Sequence, residues 1–207
     1  MFITFEGPDG SGKSTVSKLV KEKLEKDGIS LILTREPGGS PIAEQIRDVI
    51  LDKNNTSLDP RAEALLYAAS RRQHLVEKII PALKEGKLVL CDRFIDSSLA
   101  YQGGARNLGV DEILKLNLFA TEGTMPDYTL FFNISPEEGI KRLSSDKQRV
   151  ADRLDLESEN FHNKVYEAFI DLSKRFANRY IIIDASKPLD EVVNETYRII
   201  KEKLNEN

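Results

Sequence analysis

The run Gly7-Pro8-Asp9-Gly10-Ser11-Gly12-Lys13-Ser14 constrains this chain more than any other feature. It fills every fixed position of the pattern G-x-x-x-x-G-K-[ST] and stands in the context that gives the pattern meaning. The apolar run 2–5 precedes it, and Val16, Leu19, Val20 and Leu24 follow at helical spacing. A strand must end at Gly7 and a helix must begin near Lys13. Glycines let the backbone between them curl and bring its N–H groups close to an anion, backed by the positive end of the helix. Lys13 can then reach the β and γ phosphates of a triphosphate, the Ser14 hydroxyl can ligate Mg²⁺, and Thr15 stands in the first helical turn.

The rest of the chain repeats the strand–helix theme. Apolar runs at 31–33, 87–91, 128–134 and 180–184 read as four further strands, each followed by helical periodicity. Asp59-Pro60 has the order of an N-cap and an N1 proline, and opens a long helix through Leu65, Leu66, Ala69, Leu75, Ile79 and Ile80, with Pro81 as a point of kinking. Leu189, Val192, Val193, Thr196, Ile199, Ile200 and Leu204 are expected to face inward on the last helix. Such alternation predicts an α/β fold with a five-stranded parallel sheet covered by helices on both faces. In such sheets ligands lie beyond the carboxyl ends of the strands. That rule brings residues 7–14, 35–39, Asp92-Arg93 and the segment after Asp184 to one place. Asp92, closing a buried strand beside the loop, can hold Mg²⁺ through water.

Bulk properties narrow the classes. With 207 residues and no linker or repeat, a single domain with a small lid is expected. A net charge of −4 argues against a broad nucleic-acid footprint. One cysteine, Cys91, rules out an intrachain disulfide and a cysteine metal cluster. No apolar run approaches the ~20 residues of a membrane span, and Met1-Phe2-Ile3-Thr4-Phe5 does not read as a signal peptide, so cytoplasm is the expected compartment.

The loop alone does not choose between switch, motor and small-molecule kinase. A guanine-reading Asn-Lys-x-Asp is not found: Asn163-Lys164-Val165-Tyr166 fails at its last position. A kinase must bring an anionic acceptor to an anionic triphosphate and exclude water, which demands cations at both ends and on the moving group. A phosphate acceptor is already a nucleophile and needs no strong base. Arg35 and Arg93 at strand ends, with Arg149 and Arg153 in a polar insertion, suit a nucleoside monophosphate better than an alcohol.

Six segments carry a resemblance to a family: 5–14, Thr34-Arg35-Glu36-Pro37-Gly38-Gly39, Leu66-Tyr67-Ala68-Ala69-Ser70-Arg71, Cys91-Asp92-Arg93-Phe94, Ser97-Ser98-Leu99-Ala100-Tyr101-Gln102-Gly103 and Asp152-Arg153-Leu154. In that order, over nearly the whole length, they resemble the bacterial thymidylate kinases. The resemblance implies a P-loop NTPase fold with a lid at about 144–157, and transfer of phosphate from Mg·ATP to dTMP by a homodimer. It implies that Tyr67 stacks on thymine, that Arg71 donates to O4, that Ser98 and Gln102 line the base pocket with Gln102 reading N3, and that Tyr101 packs under the deoxyribose. It implies further that Arg93 binds the acceptor phosphate with Arg35 or Arg47 helping, that the tight turn Glu36-Pro37-Gly38-Gly39 shapes that site, and that Asp9 accepts from the 3′-hydroxyl and is a further candidate near the metal.

The loop interior, Pro8 to Ser11, has no cation, so the lid's Arg149 and Arg153 are expected to join Lys13 on the transferring phosphoryl, with Arg142 against adenine. A kinase for another nucleoside monophosphate, a deoxynucleoside kinase and a non-catalytic ATP-sensing protein are the competing readings.

Overall fold

The computed structural model describes residues 1–145 and 152–206. In chain order the elements are β1 (Phe2–Glu6), α1 (Lys13–Lys26), β2 (Leu31–Arg35), α2 (Pro41–Leu51), α3 (Pro60–His74), α4 (Ile80–Lys84), β3 (Leu88–Asp92), α5 (Ile95–Ser98), α6 (Val110–Thr121), β4 (Tyr128–Asn133), α7 (Pro136–Ser145), α8 (Glu159–Arg175), β5 (Tyr180–Asp184) and α9 (Leu189–Asn205). The five strands form one parallel sheet of order β2-β3-β1-β4-β5. The chain leaves β1 toward β2 and β3 on one side, then returns to β4 and β5 on the other. The carboxyl end of β1, where the phosphate loop begins, is therefore the switch point of the sheet.

Alternation along the strands divides the core. Phe2, Val89, Cys91 and Phe131 face a layer with Phe94, Leu99, Tyr101 and Phe169, while Ile3, Phe5, Leu90 and Phe132 face Val16, Val20 and Leu24 of α1 and Val193 and Ile200 of α9. Both faces are covered, as the continuous apolar runs require. On α9 one expectation fails: Leu189, the first residue of the helix, is half exposed, whereas Val192, Val193, Thr196, Ile199 and Ile200 are buried.

Asp59 caps α3, its carboxylate accepting from Arg61 N at 2.9 Å and Ala62 N at 3.1 Å, with Pro60 behind it at N1. The helix does not stop at Pro81. It widens into a π-helical stretch, Leu75–Ile79, before continuing as α4. Proline lacks an N–H and crowds the preceding turn, and a wider turn there accommodates both. The buried face of α3 is polar: Glu63, Ser70, Arg71 and His74 point inward, and Leu65 points out. A helix that turns its charges to the interior is building a site. Asn163-Lys164-Val165-Tyr166 lies inside α8.

Candidate active site

The phosphate loop bridges β1 and α1. Gly12, in the left-handed region at φ 83°, precedes a helix with no side-chain cap and no acid in its first turn, which leaves the first N–H groups for an anion. Gly10, at φ 78°, sits so close to α7 that a Cβ there would lie 2.1 Å from the Gly139 carbonyl oxygen. Two glycines, Gly10 and Gly139, thus let the loop and α7 touch backbone to backbone. Lys13 Nζ donates to Gly7 O at 3.0 Å, Pro8 O at 2.8 Å and Ser11 Oγ at 3.0 Å. Burial, aided by Arg93, pushes its ammonium down to about 8. Ser14 Oγ donates to Asp92 Oδ2.

A cavity of about 450 Å³ opens beside the loop. Its lining includes Asp9, Gly10, Gly12, Lys13, Ser14, Thr15 and Asp92 in and beside the phosphate loop, together with Glu36, Pro37, Arg47, Tyr67, Arg71, Arg93, Ser98, Tyr101 and Gln102. Gly7, Pro8 and Ser11 stand behind this lining. Arg93 follows β3 with φ 69°, a left-handed conformation for a residue with a side chain. From there its guanidinium reaches Gly7 O at 3.1 Å, Ser97 Oγ at 3.0 Å and Asp9 Oδ1 at 2.6 Å. The Tyr101 hydroxyl donates to the other Asp9 oxygen at 2.7 Å. Burial works to raise the Asp9 carboxyl, but Arg93, Lys13 and Tyr101 together hold it at about 2. Below this layer Glu6 accepts from Phe94 N and Ser97 Oγ, and burial with repulsion from Asp96 pushes it up to about 7.

Arg71 is only 2 % exposed and committed on four sides, donating to Glu36 at 2.7 Å, Ser98 Oγ at 3.0 Å, Phe94 O at 2.8 Å and Asn117 Oδ1. Among the described residues one N–H of its five takes no partner. Glu36 serves this scaffold: its carboxylate holds Arg71 and His74 Nδ1, so it shapes the wall through Arg71. Arg47 donates to Pro37 O at 2.8 Å and is half-buried. Arg35 is paired with Glu44 on the rim. Burial raises the Tyr67 phenol, which stays neutral.

Arg153 is placed differently from the expectation. It does not line the cavity. It is 5 % exposed, its Nη2 donates to Glu63 Oε2 at 2.5 Å, its Nε to Ile50 O at 2.7 Å and its backbone N to Leu51 O at 3.2 Å. The last carbonyls of α2 lack intrahelical partners, the final turn of α2 has no basic residue, and Arg153 supplies those donors. A buried acid and a helix end outcompete the cavity for this guanidinium. Arg149 lies outside the described residues.

A model of the family described as thymidylate kinase matches residues 5–196. The chain belongs to the thymidylate kinase family. It is 58 % identical over 204 residues to a thymidylate kinase of Bacillus velezensis, covering 99 % of this chain and 96 % of that one. It is 55 % identical to one of Clostridium novyi, covering 97 % and 98 %. A crystal structure of the thymidylate kinase from Ehrlichia chaffeensis superposes with a TM-score of 0.78 at 33 % identity, covering 97 % of this chain and 98 % of that one. This kinase is a transferase that phosphorylates dTMP from a nucleotide donor.

Leu51 and the hub at Glu63 escaped sequence reasoning, whereas the segment after Asp184, Arg142 and the run Asp152-Arg153-Leu154 were expected near the site. A second cavity, lined by Ser11, Gly12, Val16, Arg142 and the segment from Ala185 to Leu189, adjoins the outer side of the loop. Leu51, Leu143, Asp152 and Leu154 complete the rim of the first cavity. Glu63 gathers Gln102, Arg106 and Arg153. A signal for Glu63 existed: it stands four residues before Tyr67 and eight before Arg71, on one helical face. Among the described residues no group of three or more His, Cys, Asp and Glu could hold a metal alone. Ser14 and Asp92 fit a Mg²⁺ that draws its remaining ligands from phosphates and water. No helix among the described residues is long and apolar enough to cross a membrane.

Proposed function

We propose that the reaction is Mg·ATP + dTMP → ADP + dTDP, with both nucleotides meeting in the first cavity. The observation that carries this reading is that one cavity gathers Lys13 and Ser14 of the phosphate loop, Arg93, and Tyr67, Arg71, Ser98 and Gln102. A dTMP oxygen attacks the γ phosphorus, the new O–P bond forms as the β–γ bridging bond breaks, and ADP leaves with the electron pair. Mg²⁺, when bound by Ser14 and Asp92, with Asp9 as a further candidate, neutralises phosphate charge. Arg93 holds the acceptor phosphate against the loop, and Asp9, already ionised, takes the 3′-hydroxyl.

Lys13 and Arg149 of the lid carry the transferring phosphoryl, Arg149 supplying the charge missing from the loop interior. Arg153 anchors the lid's far end. Tyr67 stacks on thymine, Tyr101 fills the space under the deoxyribose, and Arg71, Ser98 and Gln102 read the base edge. Glu36, Pro37 and Arg47 shape the wall. Arg142, shared by both cavities, places adenine in the second.

The kinase acts as a homodimer in the cytoplasm, with no nucleic-acid or membrane partner. In support, α3 and α6 pack on each other and present Leu65 and Phe119, the latter 86 % exposed, and net charge is negative. A coupled ADP-release assay with ATP, run with and without dTMP and with Mg²⁺ or EDTA, tests the reaction. ADP release independent of dTMP overturns it, and sedimentation as a monomer at micromolar concentration overturns the dimer.

A further inference from the structure

Gln102 reads a base edge only if its amide is turned the right way, and an amide has two faces of opposite chemistry. In this structure the choice is made by Glu63. Its Oε1 accepts from Gln102 Nε2 at 2.8 Å and from Arg106 Nε at 3.3 Å, and its Oε2 from Arg106 Nη2 at 3.2 Å and Arg153 Nη2 at 2.5 Å. Glu63 is fully buried. A carboxylate with four donors from three side chains is an acceptor and nothing else. Burial works to raise its carboxyl, but the bonds from Gln102, Arg106 and Arg153 bring it below the usual range, so it stays ionised at neutral pH.

We propose that Glu63 is the specificity-positioning residue of the pyrimidine pocket: by taking the Gln102 NH₂ it fixes Gln102 Oε1 as the acceptor offered to the base. Among the described residues Oε1 takes no hydrogen bond, and Gln102 lines the cavity. An acceptor there matches the N3–H of thymine or uracil and opposes the N3 lone pair of cytosine. Arg71 discriminates at position 4 of the ring. Glu63 adds an independent check at position 3 without touching the substrate. The assignment rests on the base-pocket reading above.

The test compares kcat/KM for dTMP and dCMP on one preparation of each variant, so that any unfolded fraction cancels from the ratio. Glu63→Gln presents a group that can donate or accept, which frees Gln102 to turn its NH₂ toward cytosine. The dTMP/dCMP ratio should fall about 10- to 100-fold. Arg106→Met removes a Glu63 partner and keeps the acceptor, so its ratio should stay within about threefold of wild type. A general loss of packing would lower both substrates together and leave the ratio alone.

Gln102→Leu separates the two levels of inference. A ratio that collapses in Gln102→Leu but holds in Glu63→Gln overturns the role of Glu63. A ratio unchanged in both overturns the base-pocket reading itself. Should Glu63→Gln fail to fold, the wild-type protein supplies a second readout: the Gln102 side-chain NH₂ should be protected from hydrogen exchange with or without dTMP. Rapid exchange in the protein alone overturns the proposal.

Discussion

Arg153→Met separates two roles that this arginine can hold. The substitution keeps most of the aliphatic stem and removes the charge. It breaks the 2.5 Å bond to Glu63 and the 2.7 Å bond to Ile50 O, and leaves the backbone bond to Leu51 O intact. A hydrogen bond between charged groups contributes about 1.5–3 kcal/mol, and a cation at a helix C-terminus about 0.3–1 kcal/mol. Removing one partner of an isolated buried pair costs about 3–5 kcal/mol, but Glu63 keeps Arg106 and Gln102, so the lower part of the range applies. The expected loss is about 2–3 kcal/mol, which for a domain of this size lowers Tm by about 4–12 °C.

An arginine acting on the phosphoryl group leaves a different trace. Its removal costs about 10³-fold or more in kcat and little stability. Calorimetry and steady-state kinetics on the same protein decide between them. The anchor role predicts a clear Tm loss with kcat reduced less than about tenfold, well below the cost of a lost transition-state arginine. A thousandfold loss of kcat with Tm unchanged within 1 °C would refute the anchor and return Arg153 to the phosphoryl group.

Other perturbations reach the phosphate end of the site. Lys13 titrates at about 8 in the protein alone, and bound phosphates favour its charged form and raise that value. ATP affinity should therefore be flat below pH 8 and fall up to tenfold per pH unit above it, with proton uptake on binding. Calorimetry in two buffers at pH 8.5 checks this, and no uptake there contradicts it. Gly10→Ala places a methyl 2.1 Å from Gly139 O at a φ of 78°, so loop and α7 must separate. It should cost at least ~2 kcal/mol and roughly 10²-fold in kcat, while an unaltered Tm and kcat would show that the contact is dispensable. Asp92→Asn removes the charge that holds Ser14 and should raise the Mg²⁺ needed for half-maximal rate about tenfold. An unchanged Mg²⁺ titration would exclude Asp92 from the metal side.

Much of this arrangement was legible in the sequence, for identifiable reasons. Strands came through because the apolar runs are short and bounded by turn residues, which suits strands buried on both faces. The carboxyl ends of β1, β2 and β3 run a residue or two further than the apolar runs because pairing carries the ladder into polar residues, as in the register of Arg35 with Asp92. The phosphate side of the cavity lining came through because strand ends share one edge of the sheet, whereas Tyr67, Arg71, Ser98, Tyr101 and Gln102, all on helical segments, were legible only through the family resemblance. What stayed hidden was pairing across long stretches of chain. Arg153 meets Glu63 over 90 residues and Ile50 over 103, and no periodicity records such partners. A polar insertion with two arginines reads the same whether its guanidiniums face a phosphate or cap a helix. The orientation of the Gln102 amide was equally out of reach, since it depends on which group stands behind it.

The cations around the cavity share a further property. Arg93 rests on Asp9, Arg35 on Glu44 and Arg142 on Glu138, and Lys13 donates to two loop carbonyls. Such a site is not a bare positive funnel. Each phosphate that enters competes with an acceptor already in place, so part of every new charge contact is offset by one given up. Position is what remains. Asp9 fixes Arg93 at 2.6 Å, and Tyr101 fixes Asp9 at 2.7 Å, so the guanidinium's direction is set by neighbours rather than by the substrate. Catalysis of phosphoryl transfer depends on where charges stand more than on how many there are. The same logic governs Gln102, turned by Glu63, and Arg71, held on four sides with one N–H left over. Acids that appear to neutralise this site are the parts that aim it.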